Sequence, residues 1–261
     1  MKAMILAAGE GTRMRPLTDG LPKPMLPVAG RPALEYTVEW LRHHGIREIV
    51  INLHHHSEAV IRHFGDGSAF GVSIEYSIEE RILGTAGGTK RRASSFARPF
   101  VVVYGDVLTD LDLSALVKYH STRASNLHLT MSLYRVPDPE RCGVALLDAE
   151  GRVTRFVEKP PASESPSDLA SAGVLVLDPE ILRYVPEGLF YDYGHDLFPA
   201  LLQGGIPIYG WPLPKDAYLV DFGTPDNYKR AQTEWPAANA QKFQREPAWS
   251  WRPKQPGGYE S

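Results

Sequence analysis

Short, almost uninterrupted apolar runs alternate through the first half of the chain with longer segments whose apolar positions recur at helical spacing. "AMILAA", "EIVINL", "VSIEYS" and "FVVVYGD" have the length and continuity of strands buried on both faces. Between them, "ALEYTVEWLRHHG" carries Leu34, Val38 and Leu41 on one helical face, with Gly45 as the stop. "SEAVIRHFGDG" predicts a second helix with Ser57 as its N-cap, and a third is expected over residues 86–96. From about residue 127 the rhythm changes to closely spaced strands: "LHLTMSLYRV", "GVALLDAEGRVTRFVEKP" and "SAGVLVLD", the middle stretch folding back on itself around "AEG". Short helices are expected after "DPE" and near "HDLFPALLQGG", with a last one over "TPDNYKRAQTEW". Strand–helix alternation predicts an α/β fold: a Rossmann-like, mostly parallel sheet flanked by helices, to which the second half adds a small β-rich lobe. A single domain over residues 1–235 and a tail over 236–261 are expected, the tail being rich in Pro and Gln without a period. There is no internal repeat.

Composition narrows this picture by exclusion. With 261 residues and 43% apolar content the chain can bury a large core. A net charge of −3 provides no basic field for nucleic acid. The single Cys142 rules out an internal disulfide and suits a reducing compartment. "MKAMILAAG" is far shorter than the ~20 residues that span a bilayer, so no membrane association and a cytoplasmic location are expected.

Candidate chemistry is concentrated in "AAGEGTRMRPLTDGLPKP", where two glycines, Arg13, Arg15 and Lys23 follow the first strand directly. A Walker A loop requires Gly-Lys before Ser/Thr, but Thr12 and Arg13 stand after Gly11. A dinucleotide fingerprint lacks its third glycine, and Pro16 interrupts the helix it would need. A plain structural turn explains one or two of the charges but not three cations held close by four prolines. The stretch resembles the signature GxGTRxxPLT…PKPxxPV of the sugar-1-phosphate nucleotidyltransferases, the nucleotide-sugar pyrophosphorylases. The resemblance extends over roughly residues 2–232, through "VVVYGDVLTDLDL", "RFVEKP", "SAGVLVLDPEIL" and "YLVDFGTPDNYKRA". "LGTAGG" and "GDVLTDLDL" look most like the bacterial mannose-1-phosphate guanylyltransferases.

The resemblance implies attack of a sugar-1-phosphate oxygen on the α-phosphorus of an NTP, releasing pyrophosphate and forming an NDP-sugar. GTP with mannose-1-phosphate is the leading pair. A thymidylyl-, uridylyl- or cytidylyltransferase acting on glucose-1-phosphate or another sugar phosphate is the alternative, and a non-catalytic nucleotide-sugar-binding regulator is a reading of a different class. Two polyanions must meet, so positioning and fixed positive charge carry the reaction. Arg13 and Lys23 are the expected catalytic cations, Lys23 stiffened between Pro22 and Pro24. Ala8, Gly9, Gly11, Thr12, Gly84 and Thr85 are expected to bind the nucleotide. Gly143, Glu158, Lys159 and Ser171 are expected to bind the sugar phosphate in the β-rich lobe. Mg²⁺ demands hard oxygens, and Asp106 and Asp221 each stand at a strand end, where open α/β sheets bind ligands. Asp110 and Asp112 are read as helix caps. Two departures bear on the sugar: Tyr104 replaces the Asn often found before "GD", and Ser171 replaces the Asn of "NAG".

Other conspicuous residues are assigned no chemistry. His54–His56 in an extended segment point to alternating faces and are read as a solvated turn. His43 and His44 close a helix C-terminus, and Cys142 is read as a small buried thiol. Trp235, Trp249 and Trp251 are candidates for internal packing or for a homo-oligomer interface.

Overall fold

In the computed structural model, which describes residues 1–123 and 127–239, the apolar runs become the centre of one nine-stranded sheet. The chain runs through β1 (Lys2–Leu6), a two-residue hairpin of β2 (Pro27–Val28) and β3 (Arg31–Pro32), α1 (Ala33–His43), β4 (Glu48–Leu53), α2 (Ser57–Phe64), β5 (Ser73–Ile78) and α3 (Gly84–Lys90). It continues through β6 (Phe100–Tyr104), β7 (Val107–Thr109), α4 (Leu113–Ser121), β8 (Leu129–Arg135), β9 (Gly143–Leu147), β10 (Val153–Glu158) and β11 (Leu169–Leu177). α5 (Phe198–Gln203), β12 (Ile208–Pro212), β13 (Leu219–Asp221) and α6 (Pro225–Asn239) complete the order. Strands β5, β4, β1 and β6 are parallel neighbours in that order. Antiparallel β11 then joins β6 to the later strands, so the β-rich half extends the main sheet.

Both faces of the parallel strands are covered. Val101 and Val103 of β6 belong to one core cluster with Leu34, Val38 and Leu41 of α1, and Phe100 and Val102 to another with Phe198 and Leu201 of α5. Trp235 of α6 is buried edge-on to Tyr36, their ring centroids 5.4 Å apart, which favours the internal-packing reading of this tryptophan. Trp249 and Trp251 and the rest of the tail beyond Asn239 lie outside the described residues.

Several local expectations change. Ser57 opens α2 without capping it: His56 precedes it in the left-handed region, and no side chain accepts from the first turn. The third helix starts at Gly84, stops at Lys90 and gives way to a 3₁₀ turn at Ala93–Ser95. The helix after "DPE" is likewise 3₁₀, Pro179–Tyr184. Asp112 does cap α4 through the Ala115 amide, whereas Asp110 instead accepts from Tyr218 N–H at 2.7 Å. Thr224 accepts from the Asn227 amide at the start of α6, as its sequence predicts.

A buried ion network fixes α1 to α2. Arg31 donates to Glu35 at 2.7 Å and to Glu39 at 2.8 Å, and His63 meets Glu35 at 2.6 Å. Burial raises the Glu35 carboxyl, but His63 and Arg31 outweigh it and hold it below its ordinary range. A depressed carboxylate stabilises the fold above its unfolded pKa of about 4.5 and loses that stabilisation as pH falls below it. Glu35→Gln is therefore expected to cost about 2 kcal/mol at pH 7. Urea melts should show the gap to the unsubstituted protein narrowing steadily below pH 4.5; a pH-independent gap would remove the charge from the explanation.

Candidate active site

The C-terminal ends of β1, β4 and β6 open into two contiguous clefts. The first, about 270 Å³, runs from Ala8 and Gly9 after β1, past Lys23 and Asn52, to Gly84 and Thr85 at the start of α3. Its walls include Leu6, Pro24, Ile82 and Phe190, an apolar slot suited to a planar ring. The second, about 430 Å³, is lined by Arg13, Gly143, Glu158, Lys159, Ser171 and Asp221, among others. Thr85, Tyr104, Asp106 and Asp192 belong to both, so they mark the junction.

Each charged group is held there by its neighbours in the chain. Arg13 sits on a 3₁₀ turn, Thr12–Met14, entered through left-handed Gly11 and anchored by fully buried Met14. Lys23 opens a second such turn, Lys23–Met25, whose Pro24 and Met25 are buried. Asp106 follows β6 after Gly105. Asp221 reaches it because β13 pairs antiparallel with β7, placing Asp221 opposite Val107, and because Phe222 N–H donates to the Asp106 carbonyl at 3.0 Å. Two aspartates more than a hundred positions apart thereby share one corner.

Gly223 marks the meeting point. A Cβ added there would lie 2.7 Å from Asp221 Oδ1, 3.3 Å from Arg13 Nη2 and 3.4 Å from Asp106 Oδ2. Lys23 Nζ is ion-paired with Asp106. Burial raises the Asp106 carboxyl, but Lys23, with Arg13 behind it, wins and keeps it below its ordinary value. Asp221, whose residue surface is exposed, is pushed up to about 6 by the protein crowding its carboxyl and, next, by the Asp106 charge. The two adjacent carboxyls are thus shifted in opposite directions, one held down by a cation and the other pushed up by its surroundings.

The second cleft is shaped by close approach. Glu158 at the end of β10 pairs with Gly143 at the start of β9, and a Cβ on Gly143 would run into Glu158 Oε2 and stand 2.6 Å from Phe156 Cζ. Lys159 follows in the left-handed region, exposed, its Nζ 4.0 Å from Glu158 Oε1. Cys142, half-buried beside it, has its thiol pushed up by burial, which opposes a nucleophilic role.

Of the residues expected from sequence, only Gly11 and Thr12 line neither cleft; they shape the turn that carries Arg13. Arg15 forms an exposed pair with Asp19 at 3.8 Å, outside both clefts. His54 binds the Glu79 carbonyl and His56 the Asp19 carbonyl. Other residues at the site carried no sequence signal. Asp192 accepts from both the amide and the hydroxyl of Thr85 at 2.9 Å, clamping the start of α3. Asn52 accepts from Ala7 N–H at 2.8 Å and donates to buried Glu79, fixing the backbone that leads into the glycine loop. Tyr134, Arg141 and His195 also line the second cleft.

A charged corner of two cations and two carboxylates between an apolar slot and a polar chamber stands at the carboxyl ends of parallel strands, where open α/β sheets bind ligands. The nucleotidyl transferase family model matches residues 2–237, and the chain belongs to that family. Its relatives are sugar-1-phosphate nucleotidyltransferases. The chain is 40% identical over 245 residues to a UTP–glucose-1-phosphate uridylyltransferase of Synechocystis, covering 88% of this chain and 62% of that protein. It is 37% identical over 234 residues to a mannose-1-phosphate guanylyltransferase of Mycobacterium tuberculosis, covering 89% and 64%. The chain thus spans somewhat under two thirds of the length of these relatives. Among solved structures, a Bacillus anthracis protein provisionally assigned as a glucose-1-phosphate thymidylyltransferase superposes with a TM-score of 0.81 at 26% identity, covering 94% of this chain and 98% of that one. Members of the family generally use a divalent metal. Among the described residues no helix is long and apolar enough to cross a membrane.

Proposed function

We propose that this chain joins an NTP to a sugar-1-phosphate, releasing pyrophosphate and forming an NDP-sugar. The observation that carries the reading is the convergence of Arg13, Asp106 and Asp221 around Gly223, with Lys23 beside them, at the junction of the two clefts. The nucleotide base and ribose occupy the slot between Ala8–Gly9 and Gly84–Thr85. The sugar phosphate occupies the chamber of Gly143, Glu158, Lys159 and Ser171. Its phosphate oxygen then faces the α-phosphorus at the junction. Arg13 forks onto phosphate oxygens and offsets the charge that grows on the departing pyrophosphate. Lys23, paired with Asp106, supplies a second fixed charge to the approaching anions. Asp106 and Asp221, both within 3.4 Å of the position a Cβ on Gly223 would take, form the hard-oxygen donor set that Mg²⁺ prefers. When bound, Mg²⁺ supplies neutralisation of phosphate charge.

GTP with mannose-1-phosphate is the first pair proposed, in line with the M. tuberculosis relative. UTP with glucose-1-phosphate is the second, supported by the higher identity to the Synechocystis relative. The cytoplasm is the compartment we propose. Pyrophosphate release measured over a panel of NTPs and sugar-1-phosphates tests the activity and ranks the pairs. No release with any pair, together with tight NDP-sugar binding, would replace the enzyme with a binding regulator.

Gly143→Ala tests the division of the clefts. The added methyl displaces Glu158 and Phe156, so KM for the sugar phosphate is expected to rise about tenfold or more while KM for the NTP stays within twofold. An equal rise in both would deny Glu158 its place in the sugar chamber.

A further inference from the structure

The opposite end of the sheet holds a second cluster of ligand-type side chains. Asp178 follows Leu177, which pairs with Phe100 at the start of β6, whereas Asp106 follows the end of β6. The two sites are therefore separated by roughly 20 Å of strand. His120 on the last turn of α4, His128 just before β8, and Asp178 just after β11 meet there, each at most 8% exposed. One ligand atom from each lies within 4.8 Å of the other two.

His120 Nδ1 meets the Thr130 hydroxyl at 2.9 Å, and the His128 amide donates to Asp178 Oδ2 at 2.8 Å. His128 Nε2 lies 3.1 Å from the His120 carbonyl, an acceptor only, so Nε2 carries the hydrogen. His128 Nδ1 is left facing Asp178 Oδ2 at 3.1 Å, and His120 Nε2 stands 3.6 Å from Asp178 Oδ1. Both of these buried nitrogens lack a hydrogen-bond partner. Charging both rings would place two imidazolium ions face to face, their centroids 4.0 Å apart and their planes 27° from parallel. A dication held by all three groups would offset the Asp178 charge with both rings neutral.

We propose that His120, His128 and Asp178 form a divalent transition-metal site, of the kind zinc fills, that clips α4, β8 and β11 together away from the cleft. Two imidazoles and one carboxylate favour zinc and its neighbours over Mg²⁺. A tetrahedral ion with bonds of about 2.0–2.1 Å holds its ligand atoms roughly 3.3 Å apart. The three donor atoms, within 4.8 Å of one another, need only a small inward shift of these side chains to reach that spacing.

The test uses the full chain stripped with EDTA and titrated with ZnCl₂, followed by calorimetry and thermal melting. One equivalent should bind and raise Tm; Co²⁺ should bind in its place with a visible absorption band that Zn²⁺ abolishes. His128→Gln is expected to weaken Zn²⁺ binding by about 10²-fold, while a double variant, His55→Ala with His56→Ala, retains it. Retention in the Asp106→Asn variant would further separate this site from the cleft. The proposal is overturned by unsubstituted protein that takes up neither Zn²⁺ nor Co²⁺ stoichiometrically. It is equally overturned by uptake that survives His128→Gln or vanishes with the His55/His56 pair.

Discussion

Asp221→Asn should fold normally, keep its affinity for NDP-sugar within an order of magnitude, and lose Mg²⁺-dependent turnover by about 10³-fold or more. The folding half of this expectation comes from local electrostatics. Protein crowding its carboxyl and the neighbouring Asp106 carboxylate raise Asp221 to about 6, so its charge is held at pH 7 against both. An amide of the same shape removes that repulsion and can still accept from Gly223 N–H through its oxygen, a contact of 2.6 Å in the carboxylate form. Tm without metal should therefore stay level or rise. The catalytic half rests on the donor set: one carboxylate cannot replace the pair. Melting curves and initial rates on the same preparation check both halves. A variant with unchanged rates removes Asp221 from the site, and one that is inactive because it is unfolded contradicts the electrostatic account.

Arg13→Ala should lower kcat by about 10²-fold or more with little change in KM for either substrate, the scale of one lost preorganised charge contact. Arg13 is set for this by its anchor: buried Met14 pins the turn, so the guanidinium reaches the Gly223 corner without drawing on the loop's own folding. Arg13→Lys should recover only part of the rate, since a point charge lacks the fork. Steady-state kinetics separate the cases. A loss confined to KM would make Arg13 a uniform binding contact.

The sequence carried much of this site because its chemistry and its local structure coincide. Arg13 and Lys23 lie among prolines and glycines that themselves dictate tight turns, and Asp106 ends an apolar run too regular to be anything but a buried strand. What sequence could not supply was the ladder that brings Asp221 to Asp106. Strands β7 and β13 are three residues each, too short to express a period, and their pairing spans over a hundred positions. Asp192 and Asn52 were silent for the same reason: each acts by satisfying backbone groups brought near only by the fold. Asp110 was misjudged because its acceptor role toward Tyr218 is set by that long-range ladder, whereas helix capping by Asp112 is local. Ser57 failed as a cap because the left-handed His56 before it occupies the entry to the helix. His120, His128 and Asp178 gave no spacing signal, being joined through stacking and burial at the sheet's far end.

A crystal structure of the chain with an NDP-sugar and Mg²⁺ bears most directly on the central claim. The diphosphate is expected at the Gly223 corner, touching Arg13 and Lys23, with the metal on Asp106 and Asp221, the base against Gly84–Thr85 and the sugar beside Glu158. A well-ordered product bound elsewhere, with Arg13, Lys23 and both aspartates left free of it, would contradict the account.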